Sequence, residues 1–322
     1  MRIIRVFTAM SFGVLLFAGA AFAAARTLLP VPSVPILAAA GDIACDPQDG
    51  NFNGGQGTAD ACRMDATAAV LARLNPAVVA PLGDLQYETG AATAWGASFD
   101  KSWGLFRSRM RPAPGNHEYG TKGAAGYFMY FGSIAGPDQR GFYSYDLGGW
   151  HVLALNSNCG AIGGCGPGSA QLSWLQTDLA ASTARCTLAY WHHPRFSSGP
   201  HGNTAEMDAI WRALYNAGAD VVLGGHDHVY ERYAPLDGAG KPDTRFGIRS
   251  FVVGTGGKVH YSVGKAQPGL EVHEDRTYGV LTLRLRDGSY DWAFVPELRA
   301  LGRFHDTGRG SCHGKPGSSP SA

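Results

Sequence analysis

An excess of charge of either sign is missing from this 322-residue chain: 27 lysines and arginines face 26 aspartates and glutamates, a formal net charge of +1. That balance gives no general attraction to nucleic acid or to an anionic membrane, and neither is expected as a partner. C-x-x-C pairs are absent, which removes the usual zinc–thiolate framework. Internal repeats and heptads are absent as well, excluding solenoids and coiled coils. The long apolar run is at the N-terminus, where Phe7 to Ala23 follows Arg2 and Arg5 and closes on the A-x-A site Ala21-Phe22-Ala23. It is short for a membrane span and has no stop-transfer charges, so it reads as an export leader over 1–23 rather than an uncleaved anchor. A Pro-rich tether over 24–35 and one large domain over 36–322 follow. The expected destination is extracellular or periplasmic, with no stable membrane anchor; the oligomeric state stays open.

Glycine, by contrast, is abundant at 45 residues and concentrates in loops, which suits tight connections around a strand-based scaffold. The six cysteines are an even number in a chain read as exported, so disulfides are expected. Sequence proximity suggests Cys45 with Cys62 and Cys159 with Cys165. Cys186 and Cys312 then remain to staple the C-terminal tail to the core, with other pairings still open.

Five times, an apolar run ends in a short cluster of polar, metal-capable residues. Val34 to Ala40 leads into Gly41-Asp42, and Ala77 to Leu82 into Gly83-Asp84. Met110 to Pro114 leads into Gly115-Asn116-His117-Glu118, and Thr187 to Trp191 into His192-His193-Pro194. Asp220 to Leu223 leads into Gly224-Gly225-His226-Asp227-His228. Short apolar runs bounded by Gly or Pro read as buried strands, and ligand sites in open α/β sheets form beyond the carboxyl ends of strands. Helical spacing lies between the runs at Arg63 to Leu74, at Ser169 to Ala181 with Ser169 as cap, and at Thr204 to Ala217 with Thr204 as cap and Gly218 as stop. Hairpins are expected at 141–155 around Gly148-Gly149 and at 278–295 around Asp287-Gly288. The fold class expected is α/β, with a second sheet packed on the first and helices outside.

Asp42, Asp84, Tyr87, Asn116, His192, His226 and His228 make a mixed oxygen and nitrogen set at these strand ends. No single ion needs so many ligands of these types, but two ions sharing one carboxylate would use them all. Taken in order, Gly41-Asp42-Ile43-Ala44, Gly83-Asp84-Leu85-Gln86-Tyr87, Gly115-Asn116-His117-Glu118, His192-His193-Pro194 and Gly225-His226-Asp227-His228 resemble the motifs of calcineurin-like metallophosphoesterases, specifically purple acid phosphatases. The Gly-rich segment from Val253 to Gly257 resembles a later segment of that family. The resemblance implies a four-layer α-β-β-α sandwich of two packed mixed sheets flanked by helices.

By the same resemblance, Asp42, Tyr87 and His228 would hold one metal, Asn116, His192 and His226 the other, and Asp84 would bridge them. The pair would be Fe3+ with Fe2+, Zn2+ or Mn2+. Ala44 stands where diester-cleaving relatives carry a His, and Tyr87 occupies the position of the family's iron-binding tyrosine. Ala44 also departs from the Gly usual in the first motif. His117 and His201 would contact phosphate and serve as catalytic groups. Glu118 is expected to support His117. His193 should face away from His192 on an alternating strand, as a supporting or packing residue. The activity implied is that of a secreted acid phosphatase, hydrolysing small phosphate monoesters by direct attack of metal-bound hydroxide. A phosphodiesterase or nucleotidase of the same superfamily is the nearest alternative. A non-catalytic metal- or phosphate-binding surface protein is a further one, though no motif ligand is missing.

Overall fold

The computed structural model describes residues 34–300 and 302–316. The leader over 1–23, and the tether over 24–35 except its last two residues, lie outside the described residues. The strands are Ile36–Ala40 (β1), Val78–Pro81 (β2), Tyr143–Leu147 (β3), Trp150–Ala154 (β4), Cys186–Tyr190 (β5) and Val221–Gly224 (β6). They continue with Tyr230–Tyr233 (β7), Arg249–Val253 (β8), Leu270–Glu274 (β9), Gly279–Arg286 (β10), Ser289–Pro296 (β11) and Thr307–Ser311 (β12). The α-helices are Met64–Leu74 (α1), Ala92–Trp95 (α2), Ala125–Phe131 (α3), Ala170–Ala181 (α4) and Asp208–Ala217 (α5).

Strands without polar side chains can be covered on both faces, and this decides the layering. Leu37 to Ala40 of β1 are fully buried, and every residue of β2 is buried. One mixed sheet runs β12-β11-β10-β1-β2 and the other β3-β4-β5-β6-β8-β7-β9. Alternation splits the second sheet's side chains between two cores. Val152, Ala154, Leu188 and Tyr190 join residues of the first sheet in one cluster. Leu153, Leu155, Ala189 and Val222 join Leu172, Leu175 and Leu179 of α4 and Ile210, Trp211 and Leu214 of α5 in the other. Helix α1 packs on the outer face of the first sheet, against β10 and β11. The expected two packed mixed sheets flanked by helices are what the chain forms.

Local signals held in most places. Ser169 caps α4, accepting from the Leu172 N–H at 3.2 Å, and Gly218 ends α5 in a left-handed conformation at φ 82°. The three disulfides are Cys45–Cys62, Cys159–Cys165 and Cys186–Cys312. Two expectations fail. Met110 to Pro114 is not a strand; it makes only isolated bridges, Met110 to Val79 of β2 and Ala113 to Leu82 just beyond it. Two prolines in five residues remove the donors that a ladder needs. Thr204 makes no side-chain cap, and a 3-10 turn at Ala205–Met207 precedes α5.

Candidate metal centre

β1, β2, β5 and β6 all end on one side of the sandwich, and the Met110–Pro114 segment runs beside β2 toward the same edge. Asp42, Asp84 and His226 sit just past their strands with left-handed backbones, at φ 61°, 50° and 72°. Such conformations are uncommon for non-glycine residues and persist where the surroundings over-determine them, often at functional sites. The neighbouring glycines have a steric cause. A Cβ on Gly83 would fall 2.6 Å from the His192 ring, and one on Gly115 would fall 2.1 Å from the Asp84 carboxylate. Ala44 prolongs the β1–β2 pairing, and its carbonyl accepts the Tyr87 N–H at 2.9 Å, which fixes where the tyrosine starts.

The seven residues of the expected ligand set converge in two groups. In one, the Tyr87 hydroxyl lies 3.0 Å from His228 Nε2 and 3.1 Å from Asp42 Oδ1, and His228 Nε2 lies 3.3 Å from the same Asp42 oxygen. In the other, His192 Nε2 lies 3.1 Å from Asn116 Oδ1 and 3.2 Å from His226 Nδ1. Asp84 stands between them, its Oδ2 being 3.3 Å from the Tyr87 hydroxyl and 3.1 Å from His192 Nε2.

The hydrogen bonds behind the groups set what faces forward. The Nδ1–H of His192 donates to the Leu82 carbonyl at 2.8 Å, and that of His228 donates to the Val259 carbonyl at 2.6 Å. In the neutral rings both Nε2 atoms are then bare acceptors, aimed at carboxylate oxygens. Acceptors facing acceptors require positive charge between them. Without metal, a proton meets that need: burial disfavours the His192 charge, but Asp84, Asp42 and the Leu82 carbonyl together hold the imidazole up at about 9. Burial pushes Asp84 up, but His192 and His117 together hold it far below the carboxylate range. The Tyr87 phenol is pushed up by burial and by the two aspartates. The donor set fits cations bound in place of these protons.

Three residues behave differently from their sequence reading. Glu118 does not support the His117 ring. Its buried carboxylate accepts the backbone N–H groups of Gly115 at 2.7 Å, Asp84 at 2.9 Å, Leu85 at 2.9 Å and Gln86 at 3.2 Å. It therefore ties the second motif to the third. Burial and Asp84 push its pKa up to about 7, while the backbone donors pull against them. His193 does not face away. Strand β5 stops at Tyr190, so alternation no longer applies, and the His193 ring centre lies 4.4 Å from that of His226. Asp227, passed over in the sequence, is fully buried, and its Oδ1 accepts both the backbone N–H of His201 at 3.0 Å and its Nδ1–H at 2.9 Å. Its place between two histidines was the only signal.

His117 and His201, the expected catalytic groups, flank the centre. His117 donates from Nδ1 to the Glu88 carbonyl at 2.5 Å, and its Nε2 lies 3.8 Å from Asp84 Oδ2. The His201 ring centre is 4.3 Å from that of His226, with the side chain 45% exposed. Tyr261 stacks on His228 at 3.9 Å.

Residues 37–230 match the family model described as calcineurin-like phosphoesterase. The chain belongs to this family. It is 33% identical over 223 residues to an uncharacterized protein of Mycobacterium tuberculosis, covering 58% of this chain and 42% of that protein. It is 31% identical over 149 residues to purple acid phosphatase 15 of Arabidopsis thaliana, covering 40% of this chain and 27% of that protein. The chain thus spans less than half the length of these curated relatives. A solved structure of purple acid phosphatase PPD1 from yellow lupin seeds superposes with a TM-score of 0.69 at 17% identity, over 87% of this chain and 54% of that one. A structure of PhoD gives 0.56 at 12% identity, over 90% of this chain and 73% of that one. The chain is similar to purple acid phosphatases in part of its sequence and in its fold.

Proposed function

We propose that this phosphoesterase is an exported acid phosphatase that hydrolyses small phosphate monoesters at a binuclear metal centre. The observation carrying the reading is the Tyr87 hydroxyl, seated within 3.3 Å of His228, Asp42 and Asp84, where a phenolate would complete one metal's ligands. Asp42, Tyr87 and His228 would hold one ion, Asn116, His192 and His226 the other, with Asp84 shared; ferric iron suits the tyrosine site, with Fe2+, Zn2+ or Mn2+ beside it. A bound pair supplies charge neutralisation at phosphorus and an activated water for in-line attack.

The remaining steps belong to the side chains. His117 and His201 line opposite flanks and donate to the equatorial phosphoryl oxygens. Asp227 accepts the Nδ1–H of His201, which fixes the ring and leaves Nε2 to pass a proton to the leaving alcohol. A cationic imidazole is required for that step, which supports an acid optimum. Export is supported by three disulfides, which persist in oxidising compartments. Among the described residues no helix is long and apolar enough to cross a membrane.

The test compares p-nitrophenyl phosphate with its bis-ester, using metal-loaded, oxidised protein from about pH 4 to 9. Preferred monoester cleavage with an acid optimum supports the reading. Preference for the diester, or inactivity on both, overturns it. A visible phenolate-to-iron absorption band that disappears in Tyr87→Phe supports iron at the tyrosine site.

A further inference from the structure

A pocket of about 370 Å³ opens beside the metal centre, lined by Ser157, Asn158, His193, Thr204 and Glu206 among others. Two contacts tie it to the site. His193 has its ring centre 4.8 Å from that of His192 and 4.4 Å from that of His226. Asn158 donates from Nδ2 to the carbonyl of Pro114, two residues before Asn116, at 3.2 Å. The pocket therefore lies between the third and fourth motifs, where an ester's alcohol would project from a phosphoryl group held by the metals.

Its chemistry is one-sided. Among the described residues no lysine or arginine lines it. Asn158 spends its amide hydrogens on Pro114 and on Asn156 Oδ1, which leaves its own Oδ1 an acceptor without a donor among the described residues. The Thr204 hydroxyl and the exposed Glu206 carboxylate likewise have no side-chain partner among the described residues. Ser157 Oγ accepts the His193 backbone N–H at 2.9 Å and lies 2.8 Å from His193 Nδ1, which holds the ring in place. The same ring places a nitrogen within 4.8 Å of ligand nitrogens of His192 and His226, so His193 joins the pocket to the metal centre. A hydroxyl, an amide oxygen and a carboxylate match an alcohol rich in hydroxyl groups, and the carboxylate repels a second negative charge.

We infer that the leaving group is a polyhydroxylated alcohol without further anionic groups, as in glycerol or hexose monophosphates, and that His193, Asn158, Thr204 and Glu206 select it. This rests on the phosphatase reading above. The experiment measures kcat/KM of the metal-loaded enzyme for glycerol 2-phosphate and glucose 6-phosphate against pyrophosphate and inositol hexakisphosphate, in wild type and Glu206→Lys. Wild type should prefer the neutral polyol esters by about tenfold or more, and Glu206→Lys should move that ratio toward the polyanions by about tenfold. A wild type that prefers polyanions, or a ratio unmoved by Glu206→Lys, overturns the pocket assignment while hydrolysis of p-nitrophenyl phosphate keeps the phosphatase reading standing. Failure on p-nitrophenyl phosphate as well overturns both.

Discussion

Asp84 is the residue on which the two ligand groups meet, and its replacement separates them. Asp84→Asn keeps shape but removes charge from the shared position. It should lower kcat on p-nitrophenyl phosphate by at least about 10²-fold and reduce the metal bound per chain, read by elemental analysis. Asp227→Asn acts one layer further out. It keeps an oxygen for the His201 backbone but no carboxylate for the ring, so kcat/KM should fall about 10–10²-fold, with a change in the acid limb of its pH profile. Protons and metal compete for the same lone pairs. In the metal-free protein His192 is held up at about 9 by Asp84, Asp42 and the Leu82 carbonyl. Metal entry must displace that proton, so apparent affinity should rise with pH toward that value, with proton release visible by calorimetry in buffers of different ionisation enthalpy. An affinity indifferent to pH would show that the cation does not replace the proton.

At the scale of elements, the site was legible because strand ends carry short, punctuated motifs. Gly83-Asp84 and Gly225-His226-Asp227-His228 announce both a turn and a donor set. The role of Glu118 was not legible, because its partners are backbone N–H groups that carry no side-chain signature. His193 was misread for a related reason: alternation is a property of a strand, and β5 ends before it. Strands β7, β9 and β12 were also unread. Thr-Gly-Arg-Gly-Ser in β12 has no apolar residue, and only pairing with β11 makes it a strand. Within β7, buried Glu231 accepts from the Ser198 N–H and the Tyr233 hydroxyl at 3.0 and 2.9 Å. Burial raises its pKa to about 7 from an ordinary 4.5. The fold therefore favours the protonated form, and the associated stability is full below about 4.5 and lost as pH rises through about 7. Glu231→Gln should gain in Tm relative to wild type as pH rises across that window, measured by thermal melts.

For the whole molecule, the disulfides differ in reach. Cys186–Cys312 spans 126 residues and joins β5 to the segment after β12, whereas Cys159–Cys165 spans 6. Beside the long bridge, Asp220 binds both the Thr187 N–H at 2.8 Å and the His313 N–H at 2.9 Å. Replacing both cysteines of the long bridge with serine should cost about 2–5 kcal/mol of unfolding free energy, with a smaller loss for the short one, read from denaturant melts. Equal losses would contradict a dominant loop-closure effect. The layer order was legible as a class, but the pairing of β10 with β1 joins distant parts of the chain and had no local sign in the sequence.

The donor atoms come from loops scattered between Asp42 and His228, so an unfolded chain possesses no binding centre at all. Under the export proposed above, a chain that crossed the membrane unfolded would travel bare and acquire its ions where it folds. Metal identity would then record the chemistry of the arrival compartment rather than that of the cytosol. The same sequence produced in two compartments should yield two differently loaded enzymes.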